Sequence, residues 1–390
     1  MRLARVALTV SMVAAMASAV PAWAEEKAKT FWEENTLFAY IENSYVWNLG
    51  NTSRGRVNDL RYYDFDAGYT FNIAEFSIKK DPSARYPFGY GLVLTAGIDS
   101  QKNHALGIFR GDDDQFAFRN TPAFDLQEAY GSYKFPLGSG LTLKAGKFVT
   151  LLGYEVIEAP NNLNFSRGYL FTFSTPFTHV GALATYAPLD WLSLTAGTVV
   201  GWDVARDNNS AMSFTGQIAL TPLKDFTLNL NWITGPEQND QDTNLRTVLD
   251  FVAAYTGIKK LTLAANVDVG WENDEPSLVA TRSSSTTATW QAYAAYVAYD
   301  WTEALRTALR GEIFRDADGA RTHAAGIGSP VTLYGITATA QYKIWKGLMG
   351  RVEYRHDQAS RKAFAATGDG TVPTSRAQDT ITIALDYLFF

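Results

Sequence analysis

The most restrictive feature of this chain is a strict two-residue alternation, sustained longer than an ordinary strand, with no long apolar helix to go with it. Leu261, Leu263, Ala265, Val267, Val269 and Trp271 alternate with Thr262, Ala264, Asn266, Asp268 and Gly270. Tyr334, Ile336, Ala338, Ala340 and Tyr342 alternate with Gly335, Thr337, Thr339 and Gln341. Tyr63, Phe65, Ala67, Tyr69, Phe71 and Ile73 oppose Asp64, Asp66, Gly68, Thr70 and Asn72. Successive side chains on a strand point to opposite faces, so each stretch has one apolar and one polar or small face. Strands of a soluble sandwich typically run about 5–6 residues, whereas a tilted strand crossing a bilayer needs about 9–11. Length therefore favours a barrel with an apolar skin and a wet lumen.

Composition agrees. The chain holds 23 Phe, 20 Tyr and 10 Trp, enough aromatic surface for a girdle at each membrane interface. After the first residues, no run approaches the roughly 18 apolar residues of a membrane-spanning helix. There is no cysteine, which excludes a disulfide framework, zinc–cysteine and iron–sulfur centres and covalent haem attachment. The formal charge of −6 gives a nucleic-acid partner no electrostatic support.

The amino terminus reads as a secretory signal peptide. Arg2 and Arg5 precede an apolar run from Val6 to Val20, and Ala22-Trp23-Ala24 forms an A-x-A cleavage site. Residues 1–24 are expected to be removed on export across the inner membrane. Residues 25–390 then form one domain, destined for the bacterial outer membrane.

Strand signals place spans near 36–47, 58–73, 88–100, 123–135, 140–151, 179–187, 191–202, 212–221, 225–234, 246–257, 260–272, 288–299, 303–315, 331–343, 348–358 and 378–390. That is an all-β chain forming a single antiparallel transmembrane β-barrel of about 16 strands, even-numbered as bacterial single-chain barrels generally are. Short turns such as Pro188-Leu189-Asp190 and Lys346-Gly347 alternate with long polar connections at 101–122, 203–211, 235–245, 273–287, 316–330 and 359–377. This is the asymmetry of tight periplasmic turns and longer external loops. The last strand carries Ile381, Ile383, Leu385, Tyr387 and Phe389 on one face and resembles a barrel-assembly signal, with its apolar row one residue out of phase with Phe390.

Several motifs resemble a known family. They are Q-E-A-Y at 127–130, G-L-T-L-K-A-G-K-F at 140–148, L-L-G-Y-E-V-I-E-A-P-N-N at 151–162, N-F-S-R at 164–167, P-F-T-H-V-G at 176–181 and G-W-D at 201–203. The block is similar to OmpL-like outer-membrane β-barrel porins. Weaker flanking similarity includes F-S-I-K-K-D-P at 76–82. The resemblance implies a pore or pore-like barrel in outer-membrane lipid and fixes no solute. A homo-oligomer would be a trimer, the common porin assembly.

The alternation stops at Gly153–Gly168, just after an expected strand that ends on the external side. This segment either caps the barrel or folds into it. In porin-like barrels such a segment narrows the lumen, and Glu155, Glu158 and Arg167 with Asn161, Asn162, Asn164 and Ser166 supply both charge signs and neutral hydrogen bonding for a constriction. Arg351, Glu353, Arg355 and Asp357 alternate with Val352, Tyr354 and His356. A charge on the lipid side at mid-membrane costs about 2–4 kcal/mol for arginine or lysine, so these four are expected on the lumen wall, facing water.

Covalent chemistry has little support. His104 and His323 fall in expected loops and His179 opens a strand as a structural or gate-related residue. The Asp112-Asp113-Asp114 run near His104 lacks the alternate spacing of a dedicated calcium loop. No phosphate-cradling glycine loop or H-E-x-x-H occurs. No catalytic residue, metal ligand or cofactor is assigned. The expected function is passive diffusion of small hydrophilic solutes or ions. The rival is a non-conducting scaffold or sheath for a partner protein, and a third reading is a receptor or adhesin acting through loops 101–122 or 273–287.

Overall fold

In the computed structural model the polar faces turn inward around a single closed barrel. The structure describes residues 34–50, 60–61, 67–108, 122–276, 286–323, 327–364 and 373–389. The first eight strands are β1 (Thr36–Asn48), β2 (Gly68–Lys80), β3 (Phe88–Ala96), β4 (Phe124–Phe135), β5 (Leu141–Val149), β6 (Thr178–Leu189), β7 (Leu192–Val199) and β8 (Ser213–Leu223). The rest are β9 (Phe226–Pro236), β10 (Leu245–Tyr255), β11 (Leu261–Glu272), β12 (Ala288–Asp300), β13 (Leu305–Asp316), β14 (Val331–Trp345), β15 (Leu348–Ala359) and β16 (Ala377–Leu388). Each strand pairs with its sequence neighbour, and β1 closes the ring against β16, with Tyr45 opposite Ile383. All edges are thereby paired, as a membrane span requires.

Alternation dictates the two surfaces. On β14, Tyr334, Ile336 and Tyr342 are exposed outward while Thr337 and Thr339 are buried inside. Aromatics collect at both rims. Phe88, Trp191, Trp301, Trp345 and Phe389 ring the end with the short turns and the carboxy terminus, and Trp47, Tyr69, Phe124 and Phe214 ring the end with the long loops. These are the interfacial girdles of a membrane barrel. Among the described residues no helix is long and apolar enough to cross a membrane.

One strand departs from expectation. The alternation predicts β2 over 58–73, but it runs from Gly68 to Lys80. Tyr69 and Phe71 do face outward, whereas Ile73 is buried inside beside Asn72. The cause is a β-bulge: Glu42 pairs with Ile73 and Asn43 with Phe71, so Asn72 is the extra residue and the phase of the strand flips. Beyond it Phe76 faces outward and Glu75 and Ser77 inward. The F-S-I-K-K stretch is thus the second half of β2. Arg61 lies inside the barrel rather than on a strand, donating to Asp357 Oδ2 and Thr380 Oγ1 at 3.1 Å each. Residues 1–33, Tyr63, Phe65, Asp112 to Asp114 and Phe390 lie outside the described residues.

Among the described residues, a short helix α1 (Ser100–Asn103) follows β3 and a second, α2 (Tyr169–Phe173), lies between β5 and β6.

Candidate functional site

The connection from β5 to β6 turns into the lumen instead of standing above it. Its neck is pinned where the two strands end. Thr150 N donates to Phe177 O at 2.9 Å, and the Asp203 carboxylate accepts Phe177 N at 2.7 Å and Thr178 N at 2.9 Å. His179 bridges Gly201 O and Thr150 Oγ1 at the same level. Burial pushes the Asp203 carboxyl up to about 6 despite these two amide donors.

From this neck the chain is stapled to itself. Pro160 sits in a single 3₁₀ turn over Ala159–Asn161. The Asn162 side chain accepts Val156 N at 2.9 Å and donates to Val156 O at 2.7 Å. Arg167 donates to Phe165 O at 2.9 Å, to Val156 O at 3.4 Å and to Ile157 O. These contacts give the segment its own shape before the wall is considered.

The far wall then grips it. Glu353 on β15 accepts Phe165 N at 2.7 Å and Ser166 N at 3.0 Å, and Thr339 Oγ1 donates to the same carboxylate while accepting from Asn164. Arg310 on β13 meets Glu155 at 2.6 Å and donates to Ser166 O. Gly168 N donates to Glu155 Oε2 at 2.6 Å, and Tyr169 N donates to Glu312. Arg355 donates to Arg167 O at 2.8 Å and to Asp357 at 2.7 Å, and Arg351 donates to Ala159 O at 2.8 Å. Tyr154 N donates to Asn266 Oδ1 on β11 at 2.8 Å. In a water-poor interior a charge is tolerable only when paired, and Arg310 and Arg355 lie in ion pairs with Glu155, Glu312 and Asp357.

On the β12–β13 side the filling is apolar. Phe173 of α2 packs on Phe314 with ring centroids 5.3 Å apart, and Tyr154 packs on Tyr296 at 4.8 Å. Arg321 donates to Phe173 O at 2.8 Å with its guanidinium between the rings of Trp202 and Trp290. On the opposite side, toward β1–β5, a cavity of about 350 Å³ remains. Glu75, Lys79, Glu128, Glu158 and Asn161 line it, with Phe38, Ile157 and Phe171.

The expected constriction residues divide into two sets. Glu155, Asn162, Asn164, Ser166 and Arg167 are buried in staples and wall contacts, while Asn161 is exposed and Glu158 half-buried beside the cavity. Arg351, Glu353, Arg355 and Asp357 all project inward, each at most 1 % exposed. The expectation that these four face water is corrected: the inserted segment covers them, so their charges hold backbone and carboxylates. Arg310, Glu312, Glu75, Lys79 and Glu128 were not singled out from the sequence. Arg310 and Glu312 carry the same i, i+2 signal as the β15 row, and reading β13 for inward charge would have found them. The cavity carboxylate on β2, Glu75, was hidden by the bulge. Among the described residues no group of three or more His, Asp or Glu could hold a metal ion.

Residues 35–389 match the family described as "Putative beta-barrel porin-2, OmpL-like". The chain belongs to that family. This OmpL-like porin is thus an outer-membrane porin channel by family, as its motifs suggested. No curated protein matches it. Solved structures similar to the porin include the anion-selective porin of Comamonas acidovorans, at 10 % identity and TM-score 0.57, covering 91 % of this chain and 99 % of that one. The DcaP channel of Acinetobacter baumannii is also 10 % identical, with TM-score 0.57 and 91 % and 97 % covered. Salmonella typhi OmpF in complex with daunomycin is 13 % identical, with TM-score 0.59 and the same coverage. At these identities the likeness concerns the fold of the porin alone.

Proposed function

We propose that the porin lets small hydrophilic solutes or ions diffuse passively through a lumen narrowed by the 153–168 segment. One observation carries this reading. The segment crosses from β5 to the β13–β15 wall, is fastened there by Arg310, Arg355 and Glu353, and leaves space along β1–β5. Sieving then depends on that remaining space and on the charges of Glu75, Lys79, Glu128 and Glu158 beside it. No covalent step and no cofactor enters this scheme. Residues 1–24 are removed as a signal peptide, and the mature barrel assembles as a homo-oligomer, a trimer in this reading. One related structure, Vibrio cholerae OmpT, is described as a trimer form.

A second reading has its own support. Residues 164–179 are buried without interruption, which suits a plugged barrel that serves as a scaffold. Planar-bilayer recording of the purified, folded protein separates the two. Discrete conductance steps are expected, smaller than those of an unobstructed barrel of this strand number. Silence from a protein whose gel mobility shows heat-sensitive folding would overturn the channel reading in favour of the scaffold.

A further inference from the structure

The cavity beside the inserted segment is lined by more acidic side chains than basic ones. Four carboxylates line it, Glu75, Glu128, Glu155 and Glu158, against one ammonium, Lys79. Glu128 is paired with Lys79 at 2.5 Å and Glu155 with Arg310 at 2.6 Å. Glu158 receives the neutral amide of Gln127 at 2.7 Å. Glu75 is 5 % exposed, and its Oε2 has no hydrogen-bond partner.

The neighbours of Glu75 repeat the pattern. Across the ladder it faces Tyr40 on β1 and Thr95 on β3, whose hydroxyls are buried and without partners. Gln127 Oε1 is a buried acceptor without a donor, and both carboxylate oxygens of Glu42 are likewise unpartnered. Most of these orphaned atoms are acceptors. A buried carboxylate without a donor is costly, so this wall suits a ligand that brings donors and positive charge. Ammonium is donor-only and positive. The lining also offers apolar side chains, Phe38, Ile157, Phe171 and Phe177, among the neutral polar groups of Thr36, Ser77, Thr150, Asn161 and Thr175. A volume of about 350 Å³ is at the small end of ligand pockets.

We propose that this cavity is a binding site for a small organic monocation, its ammonium held by Glu75 and Glu158 and its apolar body lodged against Phe38, Ile157, Phe171 and Phe177. The site names a solute class for the channel reading and rests on that reading only for the solute's route.

The test is titration calorimetry of benzylammonium chloride into the full-length mature protein, folded in zwitterionic micelles, with sodium benzoate as the anion of similar size. Bilayer conductance is recorded on the same preparation. Saturable benzylammonium binding is expected, with no benzoate binding. Affinity should fall at least tenfold in Glu75→Gln and in Glu158→Gln, the second of which alters the segment rather than a strand and so covers a folding failure of the first. Equal uptake of both probes, or unchanged affinity in a folded variant, would overturn the site. A conducting protein that binds no benzylammonium leaves the channel reading intact and sinks the site. A silent barrel that binds it does the reverse.

Discussion

Arg310 Nη1 lies 2.6 Å from Glu155 Oε1, joining the middle of β13 to a loop that leaves the barrel wall at the end of β5. The same guanidinium donates to Ser166 O and to Thr337 Oγ1, so one side chain ties the two limbs of the inserted segment to the wall.

Replacing Arg310 with Gln should loosen that segment. Removing one partner of a buried ion pair typically costs about 3–5 kcal/mol, because the other charge stays buried and unpaired. The cost falls on docking, since the inter-strand ladder does not involve this side chain. Single-channel conductance should rise severalfold with heat-sensitive gel mobility retained. Unchanged conductance would mean that the segment stays docked without Arg310.

Deleting Glu158–Asn164 removes the 3₁₀ turn, the Asn162 staple and the Asn164–Thr339 bond together. Conductance should rise further than in Arg310→Gln. A deletion variant with the conductance of the parent would place the restriction elsewhere in the lumen.

Gly168→Ala tests fit rather than charge. Gly168 has φ −75°, so the backbone tolerates alanine, but an added Cβ would come within 2.5 Å of Glu312 Oε2 and 3.3 Å of Glu155 Oε2. Both carboxylates must move, weakening their bonds to Gly168 N and Tyr169 N. Amide hydrogen exchange over 165–173 should speed up while strand amides stay protected. Equal protection in parent and variant would show that the pocket around Gly168 gives way without cost.

Glu237, one residue beyond β9, supplies a pH test. Its carboxylate accepts Trp202 N and Ser213 Oγ at 2.6 Å each, with Arg246 and Glu272 nearby. Burial pushes its pKa from the ordinary 4.5 up to about 7, against the pull of Arg246. The folded state thus binds this proton more tightly than the unfolded chain. Its contribution to stability is complete below about pH 4.5 and is lost as pH rises toward 7, by up to about 3 kcal/mol. Urea unfolding from lipid vesicles should show Glu237→Gln gaining on the parent between pH 5 and 8. A constant difference across that range would remove Glu237 as the titrating group.

Much of the barrel was legible because period-two patterning is a local property. The alternation in β11 and β14, and the inward row of β15, needed only neighbouring residues to read. The bounds of β2 depart from that pattern for a reason equally physical. A bulge adds one residue and inverts every face beyond it, and nothing in Tyr69 to Lys80 announces which residue is extra until β1 supplies the partner. At the site, the unusual composition of Gly153–Gly168 marked the right segment, but its contacts lie more than a hundred residues away, as in Tyr154 with Asn266 and Phe165 with Glu353.

Residue alternation alone specifies a membrane barrel of about sixteen strands with charged residues inside, because lipid admits only an apolar outer face and each strand records that demand residue by residue. It takes the closed ring to show that Arg310 of β13 and Glu353 and Arg355 of β15 clasp the β5–β6 segment instead of meeting water. That outcome depends on which side chains closure of the ring brings across the lumen, and burial there makes an unpaired charge so costly that these groups take partners from the inserted chain, as Arg310 does with Glu155, or from the wall, as Arg355 does with Asp357.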